Sequence, residues 1–160
     1  MQRFKITKDG YNRLKADLDR LINVERTKIS KAIGEALELG DLSENTEYSS
    51  SKEKQLINEA LIATLGEKIS NADVVDLGRL SGDTIDFGAT VTLLDEDSDR
   101  QIHYTLLSEF EADPAKHVIS VNSPIGNALL GKRIGESAEI KVPSGTKYYV
   151  VTNIGWGGEN

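Results

Sequence analysis

A proline-free run from Thr7 to Asn71 constrains this chain more than any other feature. Only Gly10, Gly34, Gly40 and Gly66 interrupt an otherwise helix-compatible sequence. Apolar residues recur at Leu14, Leu18, Leu21, Ile22, Ile29, Ala32, Ile33 and Ala36, at spacings dominated by three, four and seven. Such a stripe belongs to an amphipathic helix that needs a partner. Thr7 is placed to cap its start, with Gly10 at the third helical position. Glu25 and Lys28 break the stripe, which favours a slender pair over a thick bundle.

The pattern stops at Gly40-Asp41-Leu42-Ser43-Glu44-Asn45. Gly40 fits a helix C-cap, and either Asp41 or Ser43 can cap the next helix. A second stripe follows at Leu56, Ile57, Ala60, Leu61, Leu65 and Ile69. Folding back near residues 41–46 sets Leu56 and Ile57 opposite residues 29–33, and Ile69 near Leu18. The prediction is an antiparallel helical hairpin. At about 1.5 Å per residue, a first arm of about 30 residues reaches roughly 45 Å. The pattern alone also admits a helical pair lying flat on the rest of the chain. Gly34 and Gly66 each cost about 1 kcal/mol relative to alanine inside a helix, so local looseness is expected there.

Composition changes near residues 76–83, and the alternation beyond is that of strands. Strands are expected over 90–94, 102–106, 118–121, 138–142 and 148–151. Residues 95–99 and 143–146 form turns. Ser123, Pro124 and Gly131 punctuate one short helix as cap, first residue and stop. The fold class is therefore α+β, a helical hairpin followed by a small antiparallel sheet domain. The boundaries are 1–76 for the hairpin, 77–82 for a linker and 83–160 for the sheet domain.

A formal charge of -7, from 26 acidic against 19 basic side chains, argues against a duplex-coating protein. It leaves open a partner that handles nucleic acid with basic surfaces of its own. No cysteine is present, which removes disulfides, thiolate nucleophiles and zinc–thiolate sites. No stretch approaches the roughly 20 apolar residues that cross a bilayer. A cytoplasmic protein without a membrane partner is expected.

The candidate chemistry lies at the turn. Asp41 and Glu44 are three residues apart, neighbours on one face if the second helix starts near Asp41. If Asp41 stays in the loop, both still converge at the hairpin end. Two carboxylates suit a hard divalent cation such as Mg²⁺, completed by water and partner ligands. The alternative is local: acids near a helix start offset its dipole, and Asp41 or Ser43 simply caps. Glu47 adds an acid one turn on, and Asn45 can hold the loop through backbone hydrogen bonds. Tyr48 reads as a buttress, because a phenol with a pKa near 10 is a poor base. His103 and His117 read as surface or packing residues, and Trp156 as a cap on its domain.

Residues 40–48, 71–76, 87–91, 119–126 and 128–132 together resemble the bacterial transcript cleavage factors of the GreA/GreB family, in order and across nearly the whole chain. The resemblance implies a coiled-coil hairpin and a C-terminal domain similar to the FKBP fold. It implies an auxiliary activator rather than an enzyme, acting as a monomer on bacterial RNA polymerase and on the nascent RNA of backtracked complexes. Asp41 and Glu44 match the acids that help hold a catalytic Mg²⁺ in the polymerase active centre, with no metal held tightly by the free factor. Gly40, Leu42, Asn45, Glu47 and Tyr48 match tip-supporting positions. Lys52 is the best placed of the arm's basic residues for RNA contact. Ser123, Pro124, Ile125, Gly126, Gly131 and Lys132 match a segment available for polymerase docking. Leu37 departs from the family, whose members usually carry arginine there, and weakens the basic patch. Two other functions are compatible with these features: a secondary-channel regulator that inhibits or redirects polymerase without cleavage, and an adaptor that uses the hairpin.

Overall fold

The computed structural model describes residues 2–40 and 45–157. The chain forms two compact units, one of Met1–Arg3 with Tyr11–Ala72, the other of Phe4–Gly10 with Asp73–Asn160. Boundaries drawn in chain order put Phe4–Gly10 with the hairpin, whereas its packing is with the second unit.

In the first unit, helix α1 (Lys8–Arg20, whose first turn belongs to the second unit) runs into a π-helical turn at Leu21–Glu25 and on into α2 (Arg26–Leu37). Helix α3 (Thr46–Ser70) returns. Ala36 is bonded to Asn45, and Leu21 to Asn58. Residue numbers thus rise on one arm as they fall on the other, the mark of an antiparallel hairpin. Gly34 and Gly66 both lie inside continuous helix, with open space where a side chain would point. The helical irregularity sits at Leu21–Glu25.

The second arm faces the first with a different stripe from the one expected. Tyr48, Ser51, Gln55, Asn58, Ile62, Leu65 and Ile69 are withdrawn from solvent, at alternating spacings of three and four. Leu56, Ile57 and Leu61 are 72%, 55% and 50% exposed. The pairing of Leu56 and Ile57 with residues 29–33 is therefore displaced by a turn or more. Two stripes compete on this helix, and the more polar one occupies the seam.

In the second unit, β1 (Phe4–Thr7) pairs with β2 (Ala72–Val75). The main sheet holds β3 (Thr90–Asp95), β4 (Gln101–Leu107), β5 (Val118–Ser120), β6 (Ser137–Val142) and β7 (Gly145–Gly155), in the order β5-β4-β3-β7-β6. Alternate residues of β3 point inward, so Val91 and Leu93 join Ile85, Ala89, Leu106, Leu129, Ala138 and Val151 in the core. The sheet is not wholly antiparallel, because β5 runs parallel to β4. Residues 108–117, including a 3-10 turn at Pro114–Lys116, bring the chain back to the same end of the sheet before β5 begins. Helix α4 (Pro124–Leu129) packs by Leu129 and Ile125 on the core. Trp156 closes this unit, its indole donating to the Gly82 carbonyl at 3.1 Å.

Candidate functional site

The arms approach their turn through two well-defined ends. Helix α2 stops at Leu37 with Glu38 as C-cap, so Gly40 lies beyond the cap, at φ +109 where a side chain would be strained. On the returning side, Asn45 caps α3, its oxygen accepting from the Tyr48 N–H at 3.0 Å. The capping considered for Asp41 or Ser43 thus falls to Asn45. The same side chain donates its amide to the Ala36 carbonyl at 2.6 Å, tying the end of one helix to the start of the other. Asp41, Leu42, Ser43 and Glu44 lie outside the described residues.

Around this end the surface is mixed. Glu47 sits in the first turn of α3, where an acid offsets the helix dipole. It lines a cleft of about 390 Å³ between the arms, with Ala32, Glu35, Thr46, Ser50, Ser51 and Lys54. Tyr48 is half-buried in the seam. Lys52 is exposed and donates to Gln55 at 2.9 Å. Leu37 and Leu39 stand 47% and 64% exposed, so the last described turn before the tip presents apolar rather than basic side chains. Several of the arm's other cations are engaged locally. Arg20 pairs with Glu25 at 3.5 Å, Arg26 forks onto both Glu59 oxygens at 2.9 and 3.1 Å, and Lys15 lies over the Tyr11 ring. No group of three or more His, Cys, Asp or Glu among the described residues is arranged to hold a metal.

The segment proposed for docking spends much of its bonding internally. Ser123 caps α4, its hydroxyl accepting from Gly126 N–H at 3.0 Å and donating to the Ser120 carbonyl at 2.7 Å. Gly126 is buried where a side chain would strike that same carbonyl. Gly131, at φ +81, donates to Ile85, and Ile85 donates to Lys132, joining this segment to a residue of the core. Pro124 and Gly131 remain exposed, while Ile125 is half-buried.

Sequence reasoning missed two features. One is an apolar hollow of about 400 Å³ lined by Tyr104, Pro114, His117, Val118, Ile119 and Ile125 among others. Burial, with Tyr149 as a second cause, holds the Tyr104 phenol above its ordinary value. The other is the buried carboxylate of Glu111, which accepts from the N–H and hydroxyl of both Thr7 and Ser108. A Ser-x-x-Glu pattern at residues 108–111 was its available signal. His103 and His117 take no part in a shared site. His103 meets Thr92 at 3.1 Å and His117 stacks obliquely near Tyr104.

Residues 4–74 match the family model described as the N-terminal part of a transcription elongation factor, and residues 80–155 the one described as "Transcription elongation factor, GreA/GreB, C-term". Transcription elongation factor GreA of Rhodospirillum rubrum is 47% identical over 98% of this chain and 100% of its own. The GreA of Beijerinckia indica is 46% identical over 96% of this chain and 98% of its own. Among solved structures, GreA factor homolog 1 of Thermus thermophilus aligns with 96% of this chain and 99% of its own, at 29% identity and a TM-score of 0.44.

Proposed function

We propose that this chain, which belongs to the GreA/GreB family of transcription elongation factors, binds bacterial RNA polymerase and stimulates the polymerase's own cleavage of backtracked RNA. It is an auxiliary factor, not a nuclease, and it works as a monomer. The observation that carries this reading is the carboxylate pair Asp41 and Glu44, in the turn of a hairpin whose two ends are tied by the Asn45–Ala36 bond.

Residues 1–76 carry the channel-entering hairpin, with Phe4–Gly10 and the stretch from Asp73 belonging to the other unit. Residues 77–82 link it to 83–160, a domain similar to the FKBP fold that docks on polymerase through Ser123, Pro124, Ile125, Gly126, Gly131 and Lys132. Asp41 and Glu44 are hard oxygen donors, too few for a complete Mg²⁺ shell but suited to sharing one with the polymerase. Held there by Asp41 and Glu44 together with the polymerase, Mg²⁺ would supply water activation and stabilise developing negative charge. The chain's own contribution is placement: Gly40 and Asn45 hold the two ends of the turn, Leu42, Glu47 and Tyr48 support it, and Lys52 contacts displaced RNA. Well-oriented reactants recover several kcal/mol of the barrier, about 7–11 in favourable cases. The exposed Leu37 and Leu39 separate this placement from charge-based RNA capture.

The test is RNA shortening in defined backtracked complexes with Mg²⁺, comparing wild type with Asp41→Ala and Glu44→Ala. Each variant is expected to bind polymerase and to lose most of the stimulation. Unchanged cleavage with both acids removed sinks the reading. Tight binding by the wild type without any cleavage selects the inhibitory channel regulator instead.

A further inference from the structure

The first arm carries one residue too many for its seam. From Leu14 onward its buried and half-buried positions are Leu14, Leu18, Leu21, Ile22, Glu25, Ile29, Ala32, Ile33 and Ala36. Along the line through Leu21, Glu25 and Ile29, two spacings of four follow each other across the π turn. A helix with an extra residue either rotates its seam away by about 100°, the turn of one residue at 3.6 per turn, or absorbs the surplus in a π turn. This chain absorbs it at Leu21–Glu25, where the Arg26 N–H reaches back to the Leu21 carbonyl.

That carbonyl has a second partner. Asn58, 6% exposed in the seam of α3, donates its side-chain amide to the Leu21 oxygen at 3.2 Å. One turn on, Arg26 forks onto Glu59. Between this contact and the Asn45–Ala36 bond, the first arm spends 15 steps (Leu21 to Ala36) and the second 13 (Asn45 to Asn58), and the π turn takes up one of the two steps of difference. The wide turn lies at the Leu21 end of this interval, and Asn58 marks it. A buried amide in a helical seam is an established way to specify register at some cost in stability.

We propose that Asn58 is a positioning residue: by binding the Leu21 carbonyl it pins the surplus residue in the π turn and so fixes the axial register in which Gly40 and Asn45 present the catalytic turn. Without it the wide turn is free to move along α2 or be expelled toward the tip, shifting one end of the turn against the other. The consequence for cleavage rests on the function proposed above; the register does not.

The experiment uses the full chain, whose lack of native cysteine lets spin labels be placed at Glu35→Cys and Ser50→Cys, on opposite arms of the same cleft. Wild type is expected to give one narrow distance distribution. Asn58→Leu is expected to broaden or split it while melting no lower than wild type, since an apolar replacement suits the seam. Asn58→Gln, which restores an amide donor, is expected to narrow it again. In unlabelled protein, Asn58→Leu should leave polymerase affinity unchanged and reduce cleavage at saturating factor by about 10–100-fold, the penalty for misplacement of about an ångström. An unchanged distance distribution in Asn58→Leu overturns the proposal. So does a loss of cleavage that follows only from unfolding or weaker binding. If wild type itself stimulates no cleavage, the functional reading fails and the distance measurement still decides the register.

Discussion

Asn45 bonds to both ends of the hairpin turn, donating to the Ala36 carbonyl at 2.6 Å and accepting from the Tyr48 N–H at 3.0 Å. A helix cap and a cross-arm tie are combined in one short side chain. Asn45→Ala removes both, and loss of such a cap alone costs about 0.5–2 kcal/mol. The variant is expected to lower the urea midpoint of hairpin unfolding, followed by helical circular dichroism. It should also reduce cleavage at saturating factor, whereas Asn45→Asp should keep the cap and lose only the tie.

Gly10 and Glu111 are coupled by contact. A side chain at Gly10 would strike the Glu111 carboxylate, which already accepts four hydrogen bonds from Thr7 and Ser108. Glu111→Ala leaves those donors without their acceptor, at about 1–3 kcal/mol for each unsatisfied buried group. Gly10→Ala should be similarly damaging alone. The double variant should be much less destabilised than the sum, because the clash disappears with the carboxylate. Additive losses in chemical denaturation would refute this account of Gly10.

The Arg26–Glu59 fork is roughly half-exposed on both sides, at 44% and 48%. Water screens such pairs, so a double-mutant cycle with alanine should return a coupling of about 0.2–1 kcal/mol that shrinks in salt. A coupling of several kcal/mol would mean that the pair, rather than Asn58, sets the register.

Asp95 supplies a pH dependence. Its carboxyl is held below the ordinary range chiefly by the Asp97 N–H, with Ser98 and Lys147 adding to this and desolvation opposing it. A depressed carboxyl pKa stabilises the fold above the unfolded value, about 3.9, and that contribution is lost as pH falls through the folded value. Thermal stability of the second unit, followed by Trp156 fluorescence, should fall between about pH 4 and lower pH. Asp95→Asn should be less stable than wild type at neutral pH and lose less on acidification.

The helical hairpin was legible because its signals are local: no proline from Thr7 to Asn71, a capping Thr7, and glycine-rich punctuation at Gly40. The Thr7 cap is present as expected, accepting from Gly10 at 3.0 Å. The strands and the Ser123-Pro124 helix start were legible for the same reason. The parallel placement of β5 was not, since nothing local distinguishes a strand that enters from one end of a sheet from one entering at the other. Nor was the seam of α3, where Leu56, Ile57 and Leu61 satisfy a helical period as well as the residues that are actually covered.

The acidic turn shows the same division. By itself the sequence determined that two carboxylates stand three residues apart between two helices, and that no cysteine competes for metal. Only the tertiary structure decided which side chain caps α3, where the first arm stores its extra residue, and that Asn58 holds it there. Caps and periods depend on neighbours along the chain. Register is a relation between two arms, settled only when a buried amide and a carbonyl distant in sequence find each other.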